Sequence, residues 1–243
     1  MEDIAGLSEE EIAQREGILD SVDSSGMTQQ EKESLLKYIK RMEADARTDP
    51  LTGALNRRGG QNIFGAHRLK QGAGSYAAAL IDIDHFKKIN DKYGHGVADR
   101  VLTKIHDVIR RGVRNTDTVI RYGGEEFAVL MPDTDQQGAL NVIEKVRVSV
   151  IHNAHSYIDK LTAAIISRAN SNRMSVEGYL MSKDVSKADA RLSRYDGLRN
   201  ITISGGVAYV PNLADVDSLE NLLHSADSAL YASKLERNKV LGA

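Results

Sequence analysis

From Thr28 to Arg47 the apolar residues return every three or four positions, and Leu35, Leu36, Ile39, Met42 and Ala46 fall on one helical face. Residues 7–47 read as two helices. Each opens on a capping-box pattern, Ser8 with Glu11 and Thr28 with Glu31, and Ser24-Ser-Gly26 breaks the chain between them. The stripe on the second helix fits packing within its own hairpin or against the residues that follow. It also fits a dimerising stalk, although two heptads are short for a coiled coil.

From residue 48 the period alternates between helix and strand. Asp49-Pro50 predicts a helix start. Ser75 to Asp82 is an apolar run closing on an acid, which predicts a buried strand. Val97 to Val113 predicts a helix with Val101, Leu102, Ile105, Val108 and Ile109 inward. Thr118–Arg121 and Glu126–Met131 predict the two arms of a hairpin. A helix from about Thr134 to Val150 carries Leu140, Ile143, Val146 and Val150, and Ile201 to Val210 predicts another strand. A last helix opens on Asp217 with Glu220 and turns Leu219, Leu222, Leu223, Ala226 and Leu230 to a core. The mixture predicts an α/β (α+β) fold with helices flanking a central sheet. The stretch at about 152–200 breaks the pattern. It carries eight Lys/Arg against five Asp/Glu, so it is mildly basic, with a loop expected at Ser167–Arg173 and a short helix at Lys183–Tyr195. A surface elaboration without chemistry is the expected role.

Composition narrows the function classes. The 243 residues hold 41% hydrophobic residues, enough for a core, and 32 basic against 34 acidic residues give a formal charge of −2. No global field points to nucleic acid or to a membrane surface as partner. The chain has no cysteine, so disulfides and thiolate metal sites are excluded. No apolar run approaches membrane-spanning length, and Met-Glu-Asp-Ile-Ala lacks the features of a secretory signal. The default expectation is a cytoplasmic protein with no nucleic-acid or membrane partner.

The chemistry concentrates at Arg121-Tyr-Gly-Gly-Glu-Glu-Phe127, where two glycines and two acids precede the apolar second arm of the hairpin. Acids beside such a turn can hold a hard metal ion over a phosphate; taken alone, they also fit a solvated hairpin tip. Four further segments stand in order around it. Asp49-Pro-Leu-Thr-Gly-Ala-Leu-Asn-Arg-Arg58 and Ile81-Asp-Ile-Asp-His-Phe-Lys-Lys-Ile-Asn-Asp91, with Tyr93-Gly-His95 and Asp99 beyond, precede it. Thr202-Ile-Ser-Gly-Gly-Val-Ala208 and Ala226-Asp-Ser-Ala-Leu-Tyr231 follow. In this order the segments resemble the GGDEF family of diguanylate cyclases, in its GGEEF variant, over residues 48–243.

The resemblance implies a mostly antiparallel five-stranded sheet surrounded by helices, close to the palm of nucleotidyl cyclases and polymerases. It makes residues 1–47 a helical appendage and the stretch at about 152–200 an insertion, because the family's connection there is shorter. The implied reaction condenses two GTP into cyclic di-GMP with release of two pyrophosphates, in a homodimer whose subunits each bring one GTP. Asp82, Glu125 and the carbonyl of Ile83 would hold Mg2+ (or Mn2+), Glu125 would assist deprotonation, and Glu126 would be secondary. Asp84 tempts as a further ligand and stays unassigned. Backbone N–H groups at His85, Phe86 and Lys87, with Lys234 and Arg237, would hold the phosphates. The family's Lys-x-x-Gly-Arg-Asn stands here as Lys234-Leu-Glu-Arg237-Asn238, one residue shorter and without glycine. Asn90 and Asp99 would read guanine, whose N1–H and 2-amino group offer donors that adenine lacks. Ala98 replaces a glycine before Asp99, a change expected only to shift the helix start. Arg114-Asn-Thr-Asp117 has the position of the family's inhibitory product site for cyclic di-GMP, and it also fits an i,i+3 surface salt bridge. A silent nucleotide-binding module and a cyclase with a mononucleotide product are the competing readings.

Overall fold

Strand β2 (Tyr76–Ile83) is buried along its whole length, because it lies in the interior of the sheet with helices over both faces. Its sequence shows no polar alternation for that reason, and its three consecutive alanines let neighbouring elements approach closely. The structure is a computed structural model that describes residues 17–18, 20–22, 26–71, 74–171 and 201–243. On one side β2 pairs antiparallel with β4 (Glu126–Pro132), and on the other with β5 (Ile203–Val210). Strand β3 (Thr118–Arg121) pairs antiparallel with β4, and two short strands close the edges. β1 (Leu55–Asn56) runs parallel to β3, and β6 (Val240–Gly242) runs parallel to β5, giving the order β1-β3-β4-β2-β5-β6.

The two faces of the sheet carry separate cores. Ala77, Ala79, Ile81 and Ile83 of β2, with Phe127, Val129 and Met131 of β4, pack under α3 (Phe86–Tyr93), α4 (His95–Gly112) and α5 (Gln136–Ser171). Tyr76, Ala78 and Leu80, with Ala128 and Leu130, pack under α2 (Arg57–Gln71) and α6 (Leu219–Glu236). This period-two division decides on which side each site residue emerges. The inward residues expected on α4 and α6 are all buried; on α5, Ile143, Val146 and Val150 are buried and Leu140 is partly so. On α1 (Gln29–Arg47) the Thr28–Glu31 capping box forms, but the apolar stripe is only partly covered. Leu35, Leu36 and Ile39 are half-buried, while Met42 and Ala46 are exposed.

Several expectations are corrected. The sheet has six strands rather than five, since the edge strands are too short to show a period. Asp49-Pro50 opens a turn and not a helix. The Asp49 carboxylate accepts from the Thr52 N–H and hydroxyl, and Gly53 N–H returns to the Asp49 carbonyl. Helix α2 begins only at Arg57, where the Asn56 side chain caps the Gly59 N–H. The last helix is capped by Ser218, which accepts from Asn221 N–H, rather than by Asp217 with Glu220. The helix expected to end near Val150 continues to Ser171, so residues 167–171 are helical and not loop. Helix α3, beginning straight after the strand, was hidden by its length of two turns. The Ser8–Glu11 box and the short helix at Lys183–Tyr195 lie outside the described residues.

Candidate active site

The apolar run of β2 reaches Asp82 with the α2/α6 face outward, so the carboxylate emerges on the same side as Tyr76, Ala78 and Leu80. Asp82 stands opposite Glu126 in the β2–β4 register, and the Ile83 N–H donates to the Glu125 carbonyl at 3.4 Å. The hairpin thus brings both acids of the GGEEF stretch to the end of β2. From α6 comes Lys234, whose Nζ lies 2.8 Å from Asp82 Oδ2. Burial raises the proton affinity of Asp82, and Lys234 opposes that only in part. Glu125 is pushed up as well, by burial and then by the Asp82 carboxylate, with Lys234 again opposing. Two acids, both held above their ordinary values by burial and gathered around one ammonium, are a donor set suited to a hard dication, which takes one or two carboxylates and fills its shell with other oxygens. Among the described residues no larger cluster of three or more acidic or histidine side chains could hold a metal.

The hairpin tip is fastened from below. Arg121 Nη1 donates to both Asp49 oxygens, at 3.0 and 2.9 Å, and its Nη2 donates to the Gly124 carbonyl at 2.8 Å. Burial pushes the Asp49 carboxyl up, but hydrogen bonds from Thr52 and Arg121 outweigh it and hold the group below its ordinary value. Gly123 and Gly124 form the turn. Neither adopts positive φ; a side chain at 123 would collide with the Glu126 carboxylate, whereas position 124 is open.

Beyond Asp82 the chain turns at His85, which takes a left-handed conformation (φ 58°), and enters α3 without a side-chain cap. The first-turn amides, which have no intrahelical acceptor, therefore lie at the end of β2, a place suited to anions. The Phe86 side chain is buried, so only its backbone serves there. Asn90 on α3 and Asp99 on α4 flank Gly94, which joins the two helices at φ 78°. The buried Asn90 Oδ1 has no hydrogen-bond partner among the described residues. A buried acceptor without a donor is costly unless a ligand completes it. Asp99 is exposed, and Ala98 sits buried in a helix already begun at His95.

Asp84, left open by the sequence, is not a free ligand. Its carboxylate accepts from the Thr202 hydroxyl (2.7 Å), the Ser204 hydroxyl (2.8 Å) and the Asn238 N–H (3.0 Å). It ties the end of β2 to β5 and to the segment after α6. That segment is strained where the resemblance noted from the sequence leads one to expect a glycine. Arg237 has φ 56°, ψ 168°, a region that glycine alone occupies readily, and Asn238 has φ 48°. Arg147 on α5 donates to Asn238 Oδ1 at 2.6 Å and helps hold the conformation. Because the Arg237 side chain is exposed, Arg237→Gly should release backbone strain at little packing cost. A net gain of about 1 kcal/mol, or roughly 2–4 °C in thermal midpoint, is expected after the entropy of glycine is subtracted. A lower midpoint on thermal denaturation would show that the segment is not strained.

The family described as "Diguanylate cyclase, GGDEF domain" matches residues 46–194. The chain belongs to the GGDEF family. Diguanylate cyclase DgcP of Pseudomonas aeruginosa is 35% identical over 161 residues, covering 55% of this chain and 24% of that protein. The response regulator PleD of Caulobacter vibrioides is 35% identical over 198 residues, covering 80% of this chain and 36% of that protein. The chain thus spans about a quarter to a third of the length of these curated relatives. The solved structure of the coiled coil and GGDEF domain of DgcB from Caulobacter crescentus in complex with c-di-GMP is similar with a TM-score of 0.62 at 28% identity. The match covers 95% of this chain and all (100%) of that one. Strand β5 and helix α6, which complete the sheet of this GGDEF protein and supply Lys234, lie beyond the matched residues.

At Arg114–Asp117 the side chains do not form the surface ion pair that the spacing allows. Asp117 is buried, its Oδ2 accepts from the Arg114 backbone N–H at 2.8 Å, and its Oδ1 has no partner among the described residues. Arg110 donates to the carbonyls of Asp117 and Arg114, closing the turn from α4, and the Arg114 side chain is left exposed. Arg121, Thr202 and Ser204 stand within the motifs without an expected part at the site, and Asp49 was expected only to start a helix. The signal was their polar type beside apolar runs, but their partners lie far off in the chain. Among the described residues no helix is long and apolar enough to cross a membrane.

Proposed function

We propose that this GGDEF chain is a diguanylate cyclase that joins two GTP into cyclic di-GMP. The observation that carries the reading is the convergence of Asp82, the Glu125 hairpin and Lys234 at the end of β2. The relatives named as diguanylate cyclases support it. In each of two equivalent steps the 3′-oxygen of one GTP bonds to the α-phosphorus of the other. The bond from that phosphorus to the pyrophosphate oxygen breaks, and the 3′-hydroxyl proton leaves. Asp82, Glu125 and the Ile83 carbonyl would hold Mg2+ (or Mn2+), which supplies charge neutralisation at the phosphates when bound. Glu125 assists removal of the hydroxyl proton; Glu126 has a supporting role. Lys234, Arg237 and the amides of His85, Phe86 and Lys87 bind the phosphates. The open acceptor of Asn90 and the carboxylate of Asp99 take the donors of the guanine edge.

One site cannot place two nucleotides head to tail, so two copies meet, each bringing one GTP. The exposed Met42 and Tyr38 on α1 are in keeping with a helical contact between copies. The exposed guanidinium of Arg114 is offered to accumulated product, with Asp117 fixing the turn that presents it. The strained Arg237–Asn238 segment is the one feature that favours a silent nucleotide-binding module instead. Incubation with GTP and Mg2+ followed by product identification by mass separates the two. Cyclic di-GMP is expected; unchanged GTP, or a mononucleotide product, would overturn the proposal. Asp99→Ser should lower the preference for GTP over ATP by about 10- to 100-fold, the worth of a hydrogen bond to a charged acceptor. An unchanged ratio of kcat/KM values would place base readout elsewhere.

A further inference from the structure

Lys234 and Asp82 are each given a different partner by the proposed reaction, yet they hold each other in the protein alone. The ammonium lies 2.8 Å from Asp82 Oδ2, and the carboxylate side chain is only 10% exposed. A dication bound at that carboxylate and an ammonium touching it oppose one another, since like charges at such a distance repel. Lys234 has somewhere to go. It stands in the last turn of α6, its side chain is 37% exposed, and its four-carbon stem can swing toward solvent or toward a bound triphosphate.

We infer that Lys234 is the internal counter-ion of Asp82 in the nucleotide-free protein, so that metal and triphosphate bind cooperatively through the exchange of this one lysine. The inference rests on the proposed reading of Asp82 as a metal ligand. Metal alone must displace the ammonium and leave it unpaired beside a new positive charge, so it binds weakly. When a triphosphate is present, the displaced ammonium gains an anionic partner, and the carboxylate is released to the metal. The coupling is reciprocal: metal at Asp82 frees Lys234 for the nucleotide, and nucleotide at Lys234 frees Asp82 for the metal. The sequence holds no hint of this exchange, because the two residues are separated by most of the domain.

The test is Mn2+ titration of the nucleotide-free full chain, with free Mn2+ read by electron paramagnetic resonance. Lys234→Gln should bind Mn2+ about tenfold more tightly than the parent, the combined effect of a partly buried ion pair lost and a repulsion removed. Lys234→Met, which keeps the stem without the charge, should repeat the result. Arg237 also acts on Asp82 through its field, with no ion pair or hydrogen bond to it among the described residues. Arg237→Gln should therefore change the affinity by no more than about twofold, a screened surface effect. Unchanged Mn2+ affinity in both Lys234 variants would overturn the inference, and so would an Arg237→Gln gain as large as theirs. Asp82→Asn in the Lys234→Gln background separates the two levels of the argument. It should abolish the tight Mn2+ binding; if that binding survives, the assignment of Asp82 as metal ligand is what fails.

Discussion

Glu125→Gln is expected to reduce cyclic di-GMP synthesis by a factor on the order of a hundred or more while leaving the protein folded. The carboxylate is assigned two tasks, an oxygen ligand to the metal and a base toward the 3′-hydroxyl, and the amide performs neither well. A metal at a transferring phosphate contributes several kcal/mol, and each loss of about 1.4 kcal/mol is a tenfold loss in rate. Stability should move the other way. Glu125 is pushed toward its neutral form by burial and by Asp82, so its charge is a net burden on the folded state at neutral pH. Neutral glutamine removes the repulsion, and the thermal midpoint should hold or rise slightly. Initial rates of product formation and thermal denaturation of the same preparation check both statements. Synthesis close to the parent's would remove Glu125 from the chemistry. A sharp fall in midpoint would mean that the residue is structural.

Gly206→Ala is expected to be the most damaging small substitution in the sheet. A Cβ at this position would run into the Ala226 carbonyl and the Leu230 N–H of α6, and would lie 2.9 Å from Leu230 Cα. All three are backbone atoms, so no rotamer change relieves the clash and the helix must move off β5. The loss should be about 3 kcal/mol or more, at the upper end of overpacking effects, and a fall of roughly 6–12 °C in thermal midpoint. Activity should fall further than stability explains, because α6 carries Lys234 to Asp82. The adjacent Gly205 is the internal control. A Cβ there meets the Ile143 Cγ2 methyl at 3.0 Å, a side-chain tip that can yield, so Gly205→Ala should cost much less. Equal effects at the two positions would show that α6 does not rest backbone-to-backbone on β5.

The contrast between these glycines shows where the sequence stops being legible. Ser204-Gly-Gly-Val reads as a strand, and strand parity places the two glycines on opposite faces, but parity does not say which face meets a helix backbone. The β2 run and the inward stripes of α4 and α6 were readable because burial on a regular element imposes a period on nearby residues. Asp49-Pro50 misled because a proline after an acid suits a helix start and a turn alike. The choice was made by Arg121, 72 residues away, which claims the Asp49 carboxylate. Asp84 follows the same logic: its spacing from Asp82 suggested a second ligand, and Thr202, Ser204 and the Asn238 N–H consume it instead.

By itself the sequence determined the order of the longer elements, most of their apolar faces and the set of chemical groups gathered in five short motifs, and with them the family. Only the tertiary structure decided which distant groups meet: Asp82 with Lys234, Arg121 with Asp49, Asp84 with Thr202 and Ser204. It also decided that Arg237 would occupy a glycine's conformation. The physical reason is that local periodicity follows from backbone geometry within a few residues, whereas ion pairs and hydrogen bonds across 70–150 positions depend on strand register and helix placement, which the whole core sets together.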